Sequence, residues 1–170
     1  ISSGQFNDLL VTLDVNRNNP DYIYTSSLDH LYRTNDGGTT WSNITAGLPV
    51  NNAVITDVVS SYQDPAVAWV TLSGYSAGQK VYVTTNAGAT WTNISGTLPN
   101  LPVNCIIEQL NASVGGALYI GTDLGVYRTD SSLNGWVPYS TGMPNVIVQD
   151  LDIHYGTGKL RAATYGRGIW

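Results

Sequence analysis

Residues 34–41 read TNDGGTTW: a carboxylate, two glycines and threonine hydroxyls, closed by a tryptophan. The stretch returns as TTNAGATW at 84–91 and, with fewer matches, as TDSSLNGW at 129–136, so that Trp41, Trp91 and Trp136 stand 50 and 45 residues apart. Two more markers keep that step. An aromatic-bearing strand precedes each copy (LYRT at 31–34, VYVT at 81–84, VYRT at 126–129), and LP, LP and MP follow at 48, 98 and 143. Three markers in register identify a repeat protein.

Each unit divides into four short strands. In the second they are VITDVVS (54–60), VAWVTLS (67–73), KVYVTT (80–85) and TWTNIS (90–95), separated by QDP, SGYSAGQ and NAGA. Apolar and β-branched runs between such turn residues are strands. A fourth unit begins at NVIVQDLDIHY (145–155) and reaches Trp170, which takes the place of Tyr32, Tyr82 and Tyr127. Four-stranded units of this length are β-propeller blades, usually about four to eight to a ring. The expectation is an all-β propeller segment of about three and a half blades: 1–49, 50–99, 100–144 and a partial blade at 145–170. Such a segment is expected to belong to a larger chain and to leave faces for the remaining blades or for a second chain.

Composition agrees with that reading. Among 170 residues, 42% are hydrophobic and 11% charged, with eleven Tyr and five Trp against one Phe. This is enough apolar material for a core, in residue types that favour pleated sheets. The net charge of −5 offers no footprint for nucleic acid. No apolar run reaches the length of a membrane span, so membrane insertion is not expected. One cysteine, Cys105, sits in the run VNCII and reads as a buried, inert thiol.

The repeat decides the role of Asp36. Its equivalents are Asn86 and Ser131, which share with it only the capacity to accept hydrogen bonds, so the residue braces a turn and does not catalyse. The brace set is Thr34, Asp36, Gly38, Thr40 and Trp41, then Thr84, Asn86, Gly88, Thr90 and Trp91, with Thr129 and Trp136 in the third copy.

These stretches resemble the Asp-box of BNR-type repeats, S/T-x-D-x-G-x-T-W, found in sialidases, xyloglucan-degrading hydrolases and sortilin-type receptors. The resemblance implies a structural hairpin remote from the active face. The third copy departs from the pattern at Ser131, Leu133 and Gly135. KLRAATYGRGIW at 159–170 resembles the last blade of secreted Bacteroidetes surface proteins that carry a C-terminal sorting domain. That resemblance implies a secreted or cell-surface location.

Candidate chemistry is sparse. GYSAG at 74–78 matches a nucleophile-elbow pattern, but a strand follows it where the elbow requires a helix, so Ser76 is read as a loop residue. Paired acids for glycoside hydrolysis would have to come from one glutamate, Glu108, and eleven aspartates. Asp57 and Asp150 occupy matching innermost-strand positions whose counterparts are Thr12 and Cys105. Lining the channel or pinning a strand is their expected role. Of the five arginines, Arg33 and Arg128 are repeat-equivalent residues beside the boxes, and the three-arginine set of a sialidase is not visible. His30, His154 and Cys105 show no ligand spacing, so no metal and no cofactor are expected. Three N-x-S/T sequons begin at Asn43, Asn93 and Asn111; the first two are repeat-equivalent and read as repeat composition.

A ligand, glycan or protein, is expected at the loops joining second to third strands, which carry Asp29, His30, Tyr75, Asp123, Tyr165 and Arg167. The leading functional expectation is a non-catalytic secreted or surface module for glycan or protein binding or for scaffolding. The alternative is a fragment of a glycoside hydrolase whose catalytic residues lie mostly outside the segment.

Overall fold

Short runs of Val, Ile, Tyr and Thr between Gly, Asn, Asp and Pro can bury one edge and both faces of a strand only by stacking sheet on sheet. The computed structural model describes Phe6 and residues 8–110 and 116–170, and there the chain is all-β, with no helix. The first sheet contains β1 (Thr12–Val15), β2 (Ile23–Ser26), β3 (Leu31–Thr34) and β4 (Ser42–Asn43). The second contains β5 (Ile55–Ser60), β6 (Ala68–Leu72), β7 (Val81–Thr84) and β8 (Thr92–Asn93). The third contains β9 (Val103–Glu108), β10 (Leu118–Thr122), β11 (Gly125–Thr129) and β12 (Val137–Pro138). The fourth contains β13 (Val148–His154), β14 (Lys159–Thr164) and β15 (Gly168–Ile169). Every pairing is antiparallel and joins chain neighbours, so these are the four meandering blades of a β-propeller arrangement.

The core is divided among the blade interfaces. Tyr24 and Leu31 of the first blade meet Ile55, Val58, Ala68, Val70 and Leu72 of the second. Val81 and Leu98 meet Val103, Ile106, Leu118 and Ile120. Cys105, Tyr119 and Val126 meet Val148, Leu151, Ile153 and Ala162.

A bulge recurs at the start of three inner strands, skipping Thr56, Asn104 and Gln149 in the ladder. A bulge re-aims its side chain. Thr56 Oγ1 donates to Val103 O of the next blade at 2.7 Å, and Asn104 Nδ2 to Val148 O at 3.1 Å. At Thr56 and Asn104 the irregularity therefore stitches one inner strand to its successor.

In the first box, Thr34 Oγ1 accepts the amides of Asp36 (3.2 Å) and Gly38 (3.1 Å) and donates to Asp36 Oδ1 (2.6 Å). Asp36 accepts the amide of Thr40 at 2.8 Å and its hydroxyl at 2.6 Å. Thr84, Asn86, Gly88 and Thr90 repeat this wiring, with the Asn86 amide donating to Thr90 Oγ1 at 2.8 Å. In the third copy the acceptor is Asp130, not Ser131: it takes the amide and hydroxyl of Ser132. Leu133 and Gly135 stand where the other boxes have Gly and Thr, so the turn closes one residue earlier.

The box tryptophans link blades. Trp91 Nε1 donates to Ile44 O at 2.9 Å and Trp136 Nε1 to Ile94 O at 2.8 Å, each reaching back to the residue that follows the outer strand of the preceding blade. Trp41 instead donates to its own Gly38 O at 3.2 Å and packs on Phe6. Gly88 (φ +87) lies so close to Ile44 that a Cβ there would sit 2.6 Å from its side chain, so only glycine fits this turn.

Candidate functional site

The residues expected at the loops joining second to third strands are spread over four blades. Asp29 Oδ1 lies 3.0 Å from His30 Nδ1, and Asp8 Oδ2 approaches the same nitrogen at 3.0 Å. Asp29 is exposed, and the Ser27 hydroxyl, then the His30 imidazole, hold its carboxyl below the usual range. The three residues place ligand-capable atoms within 4.8 Å of one another, a grouping that sequence spacing does not reveal because Asp8 arrives from outside the repeat. The site is empty. Tyr75 and Tyr165 are each 69% exposed, in different blades. The Tyr75 carbonyl accepts from Asn100 Nδ2 at 2.7 Å, which fixes its loop. Asp123 accepts from Asn104 Nδ2 at 3.1 Å, and Arg167 is exposed at the last turn.

Asp57 is a joint between three blades. Its Oδ1 accepts from Thr12 Oγ1 of the first blade (2.9 Å) and from the Val58 amide (2.8 Å); its Oδ2 accepts the Ile106 amide of the third (3.0 Å). Burial pushes its carboxyl up, opposed by those bonds. Asp150 repeats the local half of this pattern, accepting the Leu151 amide at 2.8 Å. Cys105, in the equivalent position of the third blade, is buried, and burial moves its thiol well above the ordinary range. Its thiolate is therefore suppressed and the thiol inert.

The four inner strands converge at the opposite end of the axis, where β1, β5, β9 and β13 finish. Asp14, Arg17, Ser60, Tyr62, Glu108 and Tyr155 line a cavity of about 40 Å³ there. Asp14 Oδ2 accepts the Ser60 amide (2.9 Å) and hydroxyl (2.5 Å). Glu108 accepts the Ser61 hydroxyl (3.0 Å) and the Tyr62 amide (2.8 Å). Asn16 is fully buried and donates to Ser60 Oγ and Ser61 O at 3.0 and 2.7 Å. The Arg17 guanidinium lies 5.4 Å over the Tyr155 ring, and Tyr155 Oη donates to Glu108 O at 2.9 Å, so first, third and fourth blades meet. Burial raises both carboxyls; Asp14 is partly offset by its Ser60 bonds and Glu108 by the Tyr62 amide and Ser61 hydroxyl, with the charge on Asp14 adding a smaller upward push to Glu108.

This arrangement limits the chemistry. At about 10–15 Å³ per water the cavity holds roughly three waters, against the 300 Å³ or more of a usual small-molecule site. Each acid is held by donors from a neighbouring blade, and neither faces a volume that admits a pyranose ring. In the sequence Glu108 stands out only as the lone glutamate, and no motif or spacing marks Asp14, Arg17 or Tyr155. Ser76 lies in the β6–β7 loop, where the Gln79 amide donates to its carbonyl. The Asn111 sequon lies outside the described residues.

No protein-family model matches the chain, and no curated protein matches it. Solved structures do. A structure of YCF48 bound to a D1 peptide aligns with 92% of the chain at 20% identity and a TM-score of 0.64. The extracellular domain of a hybrid two-component system from B. thetaiotaomicron aligns with 99% at 18% identity and 0.71. The GH74 xyloglucanase from Xanthomonas campestris aligns with 91% at 17% identity and 0.66. The chain spans 48%, 21% and 26% of these proteins respectively. At such identities the shared property is the propeller fold.

Proposed function

We propose that the chain is a non-catalytic, secreted or cell-surface propeller module that binds a glycan or protein at the loops joining second to third strands. The observation that carries the non-catalytic reading is the engagement of its inner-strand acids. Asp14, Asp57 and Glu108 each accept hydrogen bonds from the backbone or hydroxyls of an adjacent blade. A general acid or base must instead present its proton or lone pair to a substrate. Tyr75 and Tyr165 support the binding half of the proposal, since exposed rings on braced loops suit stacking on sugar faces or docking of a peptide. The extracellular domain among the structural neighbours supports the location, and the peptide held by YCF48 supports a protein ligand.

The second reading, a fragment of a glycoside hydrolase, draws on the GH74 likeness. One experiment separates the two. The chain is passed over a panel of immobilised polysaccharides while reducing ends are assayed in the same samples. Retention that is lost on replacing Tyr75 and Tyr165 by Ala supports the binding module. Release of reducing ends that is abolished by Asp57→Asn or Asp150→Asn overturns it in favour of the enzyme.

A further inference from the structure

The third box departs from the other two at a point that changes its chemistry. In the first box the amide of Thr40 donates to Asp36 Oδ1 at 2.8 Å, and in the second that of Thr90 donates to Asn86 Oδ1 at 2.9 Å. Gly135 stands at the place of Thr40 and Thr90. Its amide has lost this clamp, because the acceptor Asp130 closes on Ser132 instead. The Gly135 carbonyl accepts the Thr129 hydroxyl at 3.0 Å, but among the described residues the Gly135 amide has no acceptor.

The residue before it is Asn134, where the other boxes carry Thr39 and Ala89. Asn134 is exposed, and its carboxamide makes no hydrogen bond among the described residues. This is the one Asn-Gly pair in the chain. Gly135, at φ +108, puts no Cβ between its nitrogen and the carboxamide carbon. An electrophilic carbon therefore lies beside an unclamped backbone nitrogen. Asn86 provides the contrast: the amide of the following Ala87 donates to Ala66 O at 2.8 Å, and the Asn86 carboxamide is itself bonded to the Thr90 hydroxyl and amide.

We propose that Asn134 is a site of spontaneous deamidation through a succinimide, and that its isoaspartyl product loosens the clasp between the second and third blades. The Gly135 nitrogen loses its proton and attacks Asn134 Cγ; a C–N bond forms and the carboxamide nitrogen leaves as ammonia. Water then opens the ring at either carbonyl and gives aspartate or isoaspartate, so no oxidant or reductant is needed. In isoaspartate the backbone runs through the former side chain and is longer by one methylene. Trp136 lies two residues on, with its amide and carbonyl bonded to Thr97 Oγ1 at 3.1 and 3.0 Å and its indole donating to Ile94 O. A lengthened hairpin cannot keep the Thr129, Thr97 and Ile94 bonds in register together. The site belongs to the hairpin joining β11 to β12 and not to the loops joining second to third strands, so its failure leaves the proposed function untouched.

The test incubates the intact folded chain at mildly alkaline pH and follows Asn134 and Asn86 by mass spectrometry of proteolytic fragments. Asn134 is expected to convert roughly tenfold faster than Asn86, the rate ratio that one hydrogen bond of ordinary net strength makes. The rate should rise with pH, since the Gly135 nitrogen must lose its proton. The urea midpoint of the incubated chain should fall, and that of Asn134→Ser treated in the same way should not. Conversion of Asn134 no faster than that of Asn86, or conversion only in the urea-unfolded chain, overturns the site. Conversion that leaves the midpoint unchanged overturns its effect on the clasp.

Discussion

Asp36 and Glu108 are carboxylates that the fold treats in opposite ways. Asp36 is exposed; the Thr34 hydroxyl, then the hydroxyl and amide of Thr40, lower its pKa to about 2. Its contribution to stability is therefore complete above about pH 4, the ordinary carboxylate value, and is lost as pH falls toward 2. Asp14, Asp57 and Glu108 are raised by burial, so their contribution is complete below about pH 4 and is lost as pH rises through their raised values. Urea midpoints measured from pH 2 to 8 should fall at both ends of this range. Asp36→Asn, which the Asn86 wiring shows to be sterically acceptable, should flatten the acid side, and Glu108→Gln should flatten the other. Asp57→Ala leaves the Ile106 amide without its acceptor and should cost about 2–3 kcal/mol in denaturant unfolding. At this scale, what could be read from the sequence depends on locality. Thr34, Asp36 and Thr40 interact within seven residues and recur, so the repeat names them. Asp14, Ser60 and Glu108 come from three blades and occupy positions whose residue type changes from blade to blade, so no spacing betrays them. His30 was visible as a loop residue, but its grouping with Asp8 was not.

Among the elements, the box hairpins act as clasps between blades. Gly88→Ala combines an unfavourable positive φ with a contact at 2.6 Å to Ile44, and should destabilise by about 1–3 kcal/mol. Trp136→Ala removes a buried indole that spans second and third blades and should cost about 3–5 kcal/mol. Both changes can be read from chemical denaturation monitored by far-UV circular dichroism, and a cost near zero for either would mean that the clasp is ornamental. The strands themselves were legible because apolar alternation and turn residues are local properties. The bulges at Thr56, Asn104 and Gln149 were not, since a skipped residue is defined only by the partner strand, and three different side chains occupy the place.

For the molecule as a whole, the faces at either end of the blade series differ. On β1, Leu13 and Val15 are 54% and 41% exposed, at positions where Val58 and Ser60 of the second blade are packed on a neighbour. Beyond β13 the outward side carries Asp152 and Arg161, 3.8 Å apart. An apolar sheet face of this kind promotes association, so light scattering during size exclusion should show oligomers that dissociate on replacing Leu13 and Val15 by Thr. A monomer at all concentrations would count against this. The propeller arrangement was legible from the 45–50-residue period, whereas the identity of a partner leaves no periodic trace. The indole bonds of Trp91 and Trp136 also have a direction: each points toward the amino terminus, onto a segment made earlier. On a ribosome the second and third blades would each emerge to find a dock already formed, and would lock without waiting for chain still to come. Assembly of this kind is vectorial, and a circular permutant that begins at the second blade would have to hold Trp91 unclasped until synthesis ended.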